Sequence, residues 1–464
     1  MNDLAPGVEI NGGLESCHSD SWTADSNSPS APRDSRFHLF KSGSESFLLL
    51  AEGSRVFRID GHLHDRLRTA SAGPMDSVER IFEELRIQSD FPTARKNKAA
   101  PRLHALSLAV AQKCNMGCTY CYAQGGAFGE PPQNMPLKTA LDAVELLFRE
   151  ARPGDKVSLS FLGGEPLLNR SVIRAATEHA AALAVVRKSA LTLSITSNGT
   201  LIRPDDFEFF ETHGFAVTIS LDGVGDVHNR QRPFKNGAGS YEQLVERIRP
   251  ALKRQRFMQV SARVTVTPEN IDLVPTLEAF VGMGFHSVGF SPLLNAPGGG
   301  ELGREHLAIL LDQMIACGRR FESAVAAGRR YPFSNMVTAL KELHRGTHNP
   351  YPCGAGIGYF GVDADGVLYA CHRFVNDDLH MFGSVANGVD RVRQNAWMEQ
   401  RHVNHQEPCR DCWARYLCGG GCHHEVIKRG RHACDYIRGW LHYCLGAYTR
   451  LLKARPDYYF ANIE

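Results

Sequence analysis

The sequence predicts an α/β protein built on parallel βαβ units, with a small α+β module before them and a cysteine-rich segment after. Three observations carry this. Six short apolar runs alternate with amphipathic stretches between residues 106 and 291. Short β-like runs separated by Gly and Ser (FHLF, SFLLLA, RVFRID) precede them, and eight cysteines crowd the stretch from Cys353 to Cys444.

Taken in order, residues 1–36 are rich in Ser, Asp, Asn and Pro without aliphatic periodicity, which predicts a disordered tail. Residues 37–95 predict a β-plus-helix module, and a polar linker from Arg95 to Arg102 follows it. Strands are expected at Leu106–Gln112, Val157–Leu162, Leu191–Thr196, Phe215–Leu221, Val260–Val266 and Ser287–Ser291. Leu137, Leu141, Val144 and Phe148 are spaced as one helix face between the first two, and Leu244, Ile248 and Leu252 as another between the fourth and fifth. Six repeats over residues 103–295 suit either an open doubly wound sheet or a partial barrel; periodicity leaves both open. Residues 296–350 read as a helical connection after a Gly-rich loop, and residues 351–464 as a Cys-, Gly- and His-rich domain.

At 464 residues the chain is long enough for two or three cores. A formal net charge of +2 argues against a duplex nucleic-acid binder, which needs a basic face. No basic-then-apolar start reads as a secretory signal, and no apolar run nears the roughly 20 residues that cross a bilayer. The expected location is cytoplasmic, with neither nucleic acid nor membrane as partner. Thirteen cysteines in such a chain point to metal rather than disulfides. Cys17 and Cys317 stand apart from the groups, as a surface thiol and a helix-buried small hydrophobe.

Cys114, Cys118 and Cys121 follow the first strand at C-x3-C-x2-C spacing. Three thiolates from one loop can hold three irons of a [4Fe–4S] cube and leave the fourth to a small molecule. Zinc prefers four closed ligands, and this triplet lacks a partner pair. With Tyr120 before its last cysteine, the motif resembles the C-x3-C-x-aromatic-C signature of the radical S-adenosylmethionine (SAM) superfamily. The resemblance extends to Gly163-Gly164-Glu165-Pro166 after strand two, similar to that family's GGE motif, and to Ser197-Asn198-Gly199 and Ser220-Leu221-Asp222-Gly223 after strands three and four. It implies a partial (β/α)6 TIM-like barrel with SAM chelated to the open iron. Gly163, Gly164 and Glu165 would meet its amino group, while Ser197, Asn198, Ser220 and Asp222 would line its ribose and carboxylate. Tyr120 would pack near adenine, and Arg263 on strand five would bind the carboxylate.

The later cysteines run Cys353-x12-Gly366-x4-Cys371, then Cys409-x2-Cys412-x5-Cys418-x3-Cys422, then Cys434. This pattern resembles the SPASM extension, which implies two auxiliary [4Fe–4S] clusters and three in all. The resemblance assigns Cys409, Cys412, Cys418 and Cys434 to a distal cluster and Cys353, Cys371 and Cys422 to one nearer the active site. Some relatives carry a further cysteine where Tyr359 stands here, so the fourth ligand of the nearer cluster and the role of Cys444 stay open. Sulfatase-maturing relatives have aspartate after the second of these cysteines; here it is His372, which can serve as a proton acceptor or as a hydrogen-bonding neighbour of the cluster.

The resemblance implies a peptide or small protein subunit as substrate, cross-linked within its side chains, and an electron donor such as flavodoxin or ferredoxin. One relative class forms Cys-to-Asp/Glu thioethers in the small subunit of quinohemoprotein amine dehydrogenase. Residues 37–90 resemble modules that hold leader peptides by strand addition. The alternatives are a sulfatase-maturase-like or small-molecule (sugar) radical SAM dehydrogenase and, outside catalysis, an iron–sulfur electron-transfer protein.

Overall fold

The structure, a computed structural model, describes residues 35–74, 76–87 and 101–458. The expected N-terminal tail, apart from residues 35 and 36, lies outside the described residues, as do Cys17 and most of the linker.

Strands β1 (Phe37–Ser42), β2 (Glu45–Leu50) and β3 (Arg55–Ile59) form an antiparallel sheet in that order, followed by α1 (Gly61–Ser71) and α2 (Asp76–Glu84). Side chains alternate across a strand, and here the alternation serves two cores. Phe37, Leu48 and Leu50 pack with Leu67, Val78, Ile81 and Phe82 of the two helices. Phe40, Phe47 and Leu49, on the opposite face, join the main core of the protein. The module is therefore built into the body of the chain. Among the described residues its free edge is β3, where Arg55, Phe57 and Arg58 are exposed.

The barrel region follows as β4 (Ala105–Gln112), the short β5 (Gln133–Asn134), α3 (Leu137–Glu150), β6 (Lys156–Gly163), α4 (Arg170–Arg187), β7 (Ala190–Ser197), α5 (Pro204–Thr212) and β8 (Ala216–Ser220). It continues with α6 (Asp226–Gln231), α7 (Tyr241–Arg254), β9 (Gln259–Val266), α8 (Leu273–Met283) and β10 (Ser287–Pro292). The six long strands pair in parallel in sequence order, β4-β6-β7-β8-β9-β10, and do not close. All six expected strands are present to within a residue at most ends. On α3, Val144 and Phe148 of the expected helix face are buried, whereas Leu137 is exposed and Leu141 half-buried; Ala140, Ala143, Leu146 and Leu147 join the buried side.

Strands covered on both sides read as near-continuous apolar runs; β6, β8 and β9 alternate instead, while β4 is buried along almost its whole length. Leu106, Leu108, Leu159, Phe161, Ile195, Val217, Ile219, Val260, Val264 and Val288 are buried on the helix side. The opposite face carries hydroxyls that bridge neighbouring strands: Ser158–Thr192 at 2.6 Å, Ser160–Ser194 at 2.7 Å and Ser261–Ser287 at 2.9 Å. Arg263 projects from this same face of β9, since its neighbours Ala262 and Val264 point into the core.

Helices α9 (Arg304–Ala326) and α10 (Ser334–Arg345) make the connection, with Cys317 fully buried on α9 as expected. The cysteine-rich segment then extends the sheet. Strand β11 (Tyr359–Val362) pairs in parallel with β4, and β12 (Val367–Tyr369), β13 (Met381–Ser384) and β14 (Gly388–Val389) continue antiparallel. After them come α11 (Arg391–Arg401), α12 (Arg415–Cys418), α13 (His423–Arg429) and α14 (Cys434–Ala454), the last packing on α9, α10 and β1. No helix among the described residues is long and apolar enough to cross a membrane.

Candidate active site

Each strand of the barrel ends in a polar turn, and those ends converge on the loop holding Cys114, Cys118 and Cys121. The Cys114 thiol accepts from Met116 N at 3.4 Å and lies 3.8 Å from Asn198 Nδ2, which also donates to Asn115 Oδ1 at 2.9 Å. Burial pushes the Cys114 thiol up to about 12. Gly164 permits the closest approach: a Cβ there would sit 2.3 Å from Lys113 O and 2.7 Å from the Gly126 Cα. Glu165 N then donates to Lys113 O at 2.9 Å, which ties the end of β6 to the start of the cysteine loop.

Glu165 is fully buried and turned away from open space. Its carboxylate accepts from Leu167 N at 3.1 Å, Ser197 Oγ at 2.8 Å and Asn198 N at 2.8 Å, bracing the ends of β6 and β7 together. Asp222 has the same character after β8. Fully buried, it accepts from Tyr120 Oη, from Arg232 Nε at 2.7 Å and from Thr265 N at 2.8 Å. Arg232 lies over the Tyr120 ring at 5.5 Å, with Nη1 3.8 Å from Cys118 Sγ. Asn198, Ser220 and Arg263 reach the site from β7, β8 and β9; Glu165, Ser197 and Asp222 hold other groups in place.

Burial lowers the Arg263 guanidinium's pKa, and no carboxylate offsets it. Toward the same open face lies His372, lowered to about 4 by burial and by Arg373 and Arg263. His372 Nδ1 and Ser107 Oγ each lie 2.8 Å from Tyr359 Oη. The Tyr359 hydroxyl is thus engaged with these two groups, although the ring sits within electrostatic reach of Cys371 and Cys353.

Cys353, Cys371 and Cys422 are mutual electrostatic neighbours, and so are Cys409, Cys412, Cys418 and Cys434. This partition is the one the spacing resemblance assigned. Cys444 joins neither set: fully buried on α14, its nearest polarisable partner is Met336 Sδ at 3.9 Å. Tyr122 links the first loop to the second set, with both Cys121 and Cys371 in its surroundings, the Arg373 guanidinium 5.3 Å above its ring and the His372 ring 6.1 Å away. Arg373 in turn pairs with the buried Glu425.

The donor chemistry fits iron–sulfur clusters. All twelve described cysteines are free thiols. Among the described residues, no three His, Cys, Asp or Glu side chains are gathered as the shell of a single metal ion. Buried polar atoms without partners gather around the second and third sets: Arg373 Nε, Arg401 Nη2, His423 Nε2, His424 Nδ1 and Glu425 Oε2. Left-handed Gly419 lies against Pro352 and Tyr351, where a Cβ would be 2.4 Å from Pro352 N. The sequence did not mark Arg232, Tyr122, Arg373 or Arg401. Nothing local distinguishes a buried arginine from a surface one; only the tertiary arrangement does.

Residues 108–280 match the radical SAM superfamily. A serine-type anaerobic sulfatase-maturating enzyme of Klebsiella aerogenes is 25% identical over 374 residues, covering 76% of this chain and 87% of that protein. The radical SAM cyclopropyl synthase TigE of Paramaledivibacter caminithermalis is 21% identical over 360 residues, 73% of each. Among solved structures, anSMEcpe with bound AdoMet superposes with a TM-score of 0.65 at 20% identity, covering 78% of this chain and 98% of that one. Streptococcus suis SuiB bound to S-adenosylmethionine gives 0.52 at 12% identity, covering 86% and 97%. These structural likenesses establish the fold.

Proposed function

Residues 108–280 match the radical SAM superfamily, and we propose that this chain is a radical SAM enzyme of the SPASM maturase type that modifies a ribosomally made peptide or small protein subunit, installing a side-chain cross-link, either a thioether or a carbon–carbon bond. Cys114, Cys118 and Cys121 would hold the SAM-binding [4Fe–4S] cluster. Cys409, Cys412, Cys418 and Cys434 would hold a distal auxiliary cluster, and Cys353, Cys371 and Cys422 a nearer one with three protein thiolates. When bound, the first cluster and SAM supply a 5′-deoxyadenosyl radical that takes a hydrogen atom from the substrate.

The chain's own groups do the positioning. Asn198 and Arg232 flank the cysteine loop from two sides. Arg232 offers a fixed guanidinium beside Cys118, suited to a carboxylate; Arg263, the expected carboxylate ligand, offers a second, farther along the open face. Gly163 and Gly164 bring backbone to the loop without side-chain bulk, and Ser220 adds a hydroxyl. The hydroxyl-lined face of the barrel gives a peptide backbone donors and acceptors along its length. His372, held by Tyr359, is kept neutral at pH 7 by burial and the neighbouring arginines, which also makes it a weak proton acceptor. The free edge of β3 is open to strand addition by a leader segment.

The observation that carries the reading is the convergence of three separate thiol sets on one barrel, the first two linked by Tyr122. A sulfatase-maturase-like oxidation of Ser or Cys is the second reading, favoured by the relatives' activity. Anaerobic reconstitution with dithionite and SAM, with the short polypeptides encoded beside this chain as substrates, decides between them. Formation of 5′-deoxyadenosine with loss of two hydrogens and a linkage resistant to reduction supports the cross-link. A carbonyl-reactive product supports the second reading, and unchanged polypeptides refute both. Cys114→Ala together with Cys118→Ala and Cys121→Ala is expected to remove about a third of the iron and all SAM cleavage.

A further inference from the structure

Arg401, the last residue of α11, stands between the two later cysteine sets. Its charge lies within reach of Cys409 of one set and Cys422 of the other. Its Nε donates to His423 Nδ1 at 3.1 Å, which leaves the imidazole hydrogen on Nε2. His423 Nε2 and Arg401 Nη2 are both buried and without a hydrogen-bond partner among the described residues. A buried donor with no acceptor is costly, and a charged one more so.

The pair is held firmly. The Trp397 ring meets the His423 ring edge-on at 5.2 Å and carries the Arg401 guanidinium 5.8 Å above it, while Nδ1 of the same histidine fixes the guanidinium's direction. Neighbouring arginines are placed differently. Arg431 spends its donors on Gly420 O and Gln406 Oε1. Arg438 pairs with Asp435 at 2.5 Å and faces Cys412 and Cys434 of the four-cysteine set. Arg373 faces Cys371 and Cys422 of the three-cysteine set. Of these four arginines, Arg401 alone faces both sets.

We propose that Arg401 and His423 are a shared pair of hydrogen-bond donors to the sulfurs of both auxiliary clusters and that they set the two reduction potentials together. The inference rests on the proposed assignment of clusters to these cysteine sets. Positive charge and hydrogen bonds at the sulfurs stabilise the reduced state and raise a cluster's potential. Because one guanidinium serves both sets, its removal lowers both potentials, whereas a cation facing one set affects that set alone. These are positioning residues, acting on the clusters rather than on the substrate.

The test is EPR-monitored potentiometry of the full chain carrying the Cys114→Ala, Cys118→Ala and Cys121→Ala changes, so that only the auxiliary clusters report. Arg401→Met and His423→Leu are each expected to move both midpoint potentials to more negative values. Arg401→Lys should restore part of the shift, and Arg438→Met should move the four-cysteine cluster alone. Unchanged potentials in Arg401→Met, or a shift confined to one cluster, overturn the proposal. If Arg401→Met loses iron, His423→Leu with full iron decides by the same criterion; loss of iron in both assigns the pair to assembly and overturns the potential-setting role. A parent chain without iron and sulfide overturns the cluster assignment itself, a distinct failure.

Discussion

Replacing Asp222 by Asn removes one charge from the most enclosed ion pair of the barrel. Asp222 is fully buried and the Arg232 side chain 12% exposed, with 2.7 Å between them. The amide still offers an oxygen to Thr265 N, but Arg232 is left as a nearly buried cation beside Cys118 and Tyr120. Breaking a buried pair from one side costs about 3–5 kcal/mol. At about 2–4 °C per kcal/mol for a domain of barrel size, the melting transition of the apo chain should fall by roughly 10 °C. Asp222→Asn together with Arg232→Met removes both charges, so its cost should be well below the sum of the two single changes. Guanidinium unfolding of the four chains gives that coupling directly. An Asp222→Asn chain within about 1 kcal/mol of the parent, or a strictly additive double variant, would refute the claim that this pair braces the site.

Two further outcomes follow from geometry already described. His228 is buried, accepting from Asp222 N at 3.2 Å on Nδ1 and lying 3.1 Å from Ser240 Oγ on Nε2, and burial lowers its pKa to about 4. The unfolded chain protonates this ring near 6.5, so its contribution is complete above that pH and is lost as pH falls toward 4. The difference between parent and His228→Gln should therefore shrink by roughly 3 kcal/mol over that window; a pH-independent difference contradicts it. Gly164→Ala places a Cβ against the Lys113 and Gly126 backbones, where overpacking costs about 1–3 kcal/mol. It should lower both the melting temperature and the iron retained at the first loop, and full iron with unchanged SAM affinity would show that the loop yields easily.

The barrel was legible because its strands announce themselves twice: apolar residues toward the helices, and Ser or Thr toward the open face. Thr192, Ser194 and Thr196 alternate with Leu193 and Ile195 along β7, a period-2 pattern that survives without any knowledge of partners. On α3 the expected face holds at Val144 and Phe148 but not at its start: Leu137, the first helical residue, is exposed, while small Ala140 and Ala143 are fully buried. The SPASM resemblance, not spacing alone, assigns Cys353, Cys371 and Cys422 to one set, and in the structure these three are electrostatic neighbours. The resemblance left Cys444 undecided, because exclusion depends on α14 turning that thiol toward Met336. Glu165 and Asp222 were expected to line the cofactor. In the structure their carboxylates brace the strand ends, and no local pattern tells a carboxylate that faces a ligand from one that holds a neighbouring turn.

The buried cations argue most strongly for what these thiol sets hold. Arg232 stands beside Cys118, Arg373 beside Cys371 and Cys422, and Arg401, Arg431 and Arg438 beside the four later cysteines. Desolvation raises the thiols of Cys118, Cys371, Cys409, Cys418 and Cys434 and holds them neutral on their own, Cys371 to about 12 and Cys418 to about 11. A neutral thiol gives a guanidinium little in return for its lost hydration. Among the described residues, Arg232, Arg373 and Arg438 have a carboxylate partner in an ion pair, and Arg401 and Arg431 do not. The arrangement becomes favourable once the thiols are thiolates on an anionic inorganic core, which supplies the counter-charge and the acceptors that Arg373 Nε, Arg401 Nη2 and His423 Nε2 lack. With a formal net charge of only +2 over the chain, this clustering is no by-product of a basic protein, and on the proposed cluster assignment each guanidinium would help set how readily its cluster accepts an electron.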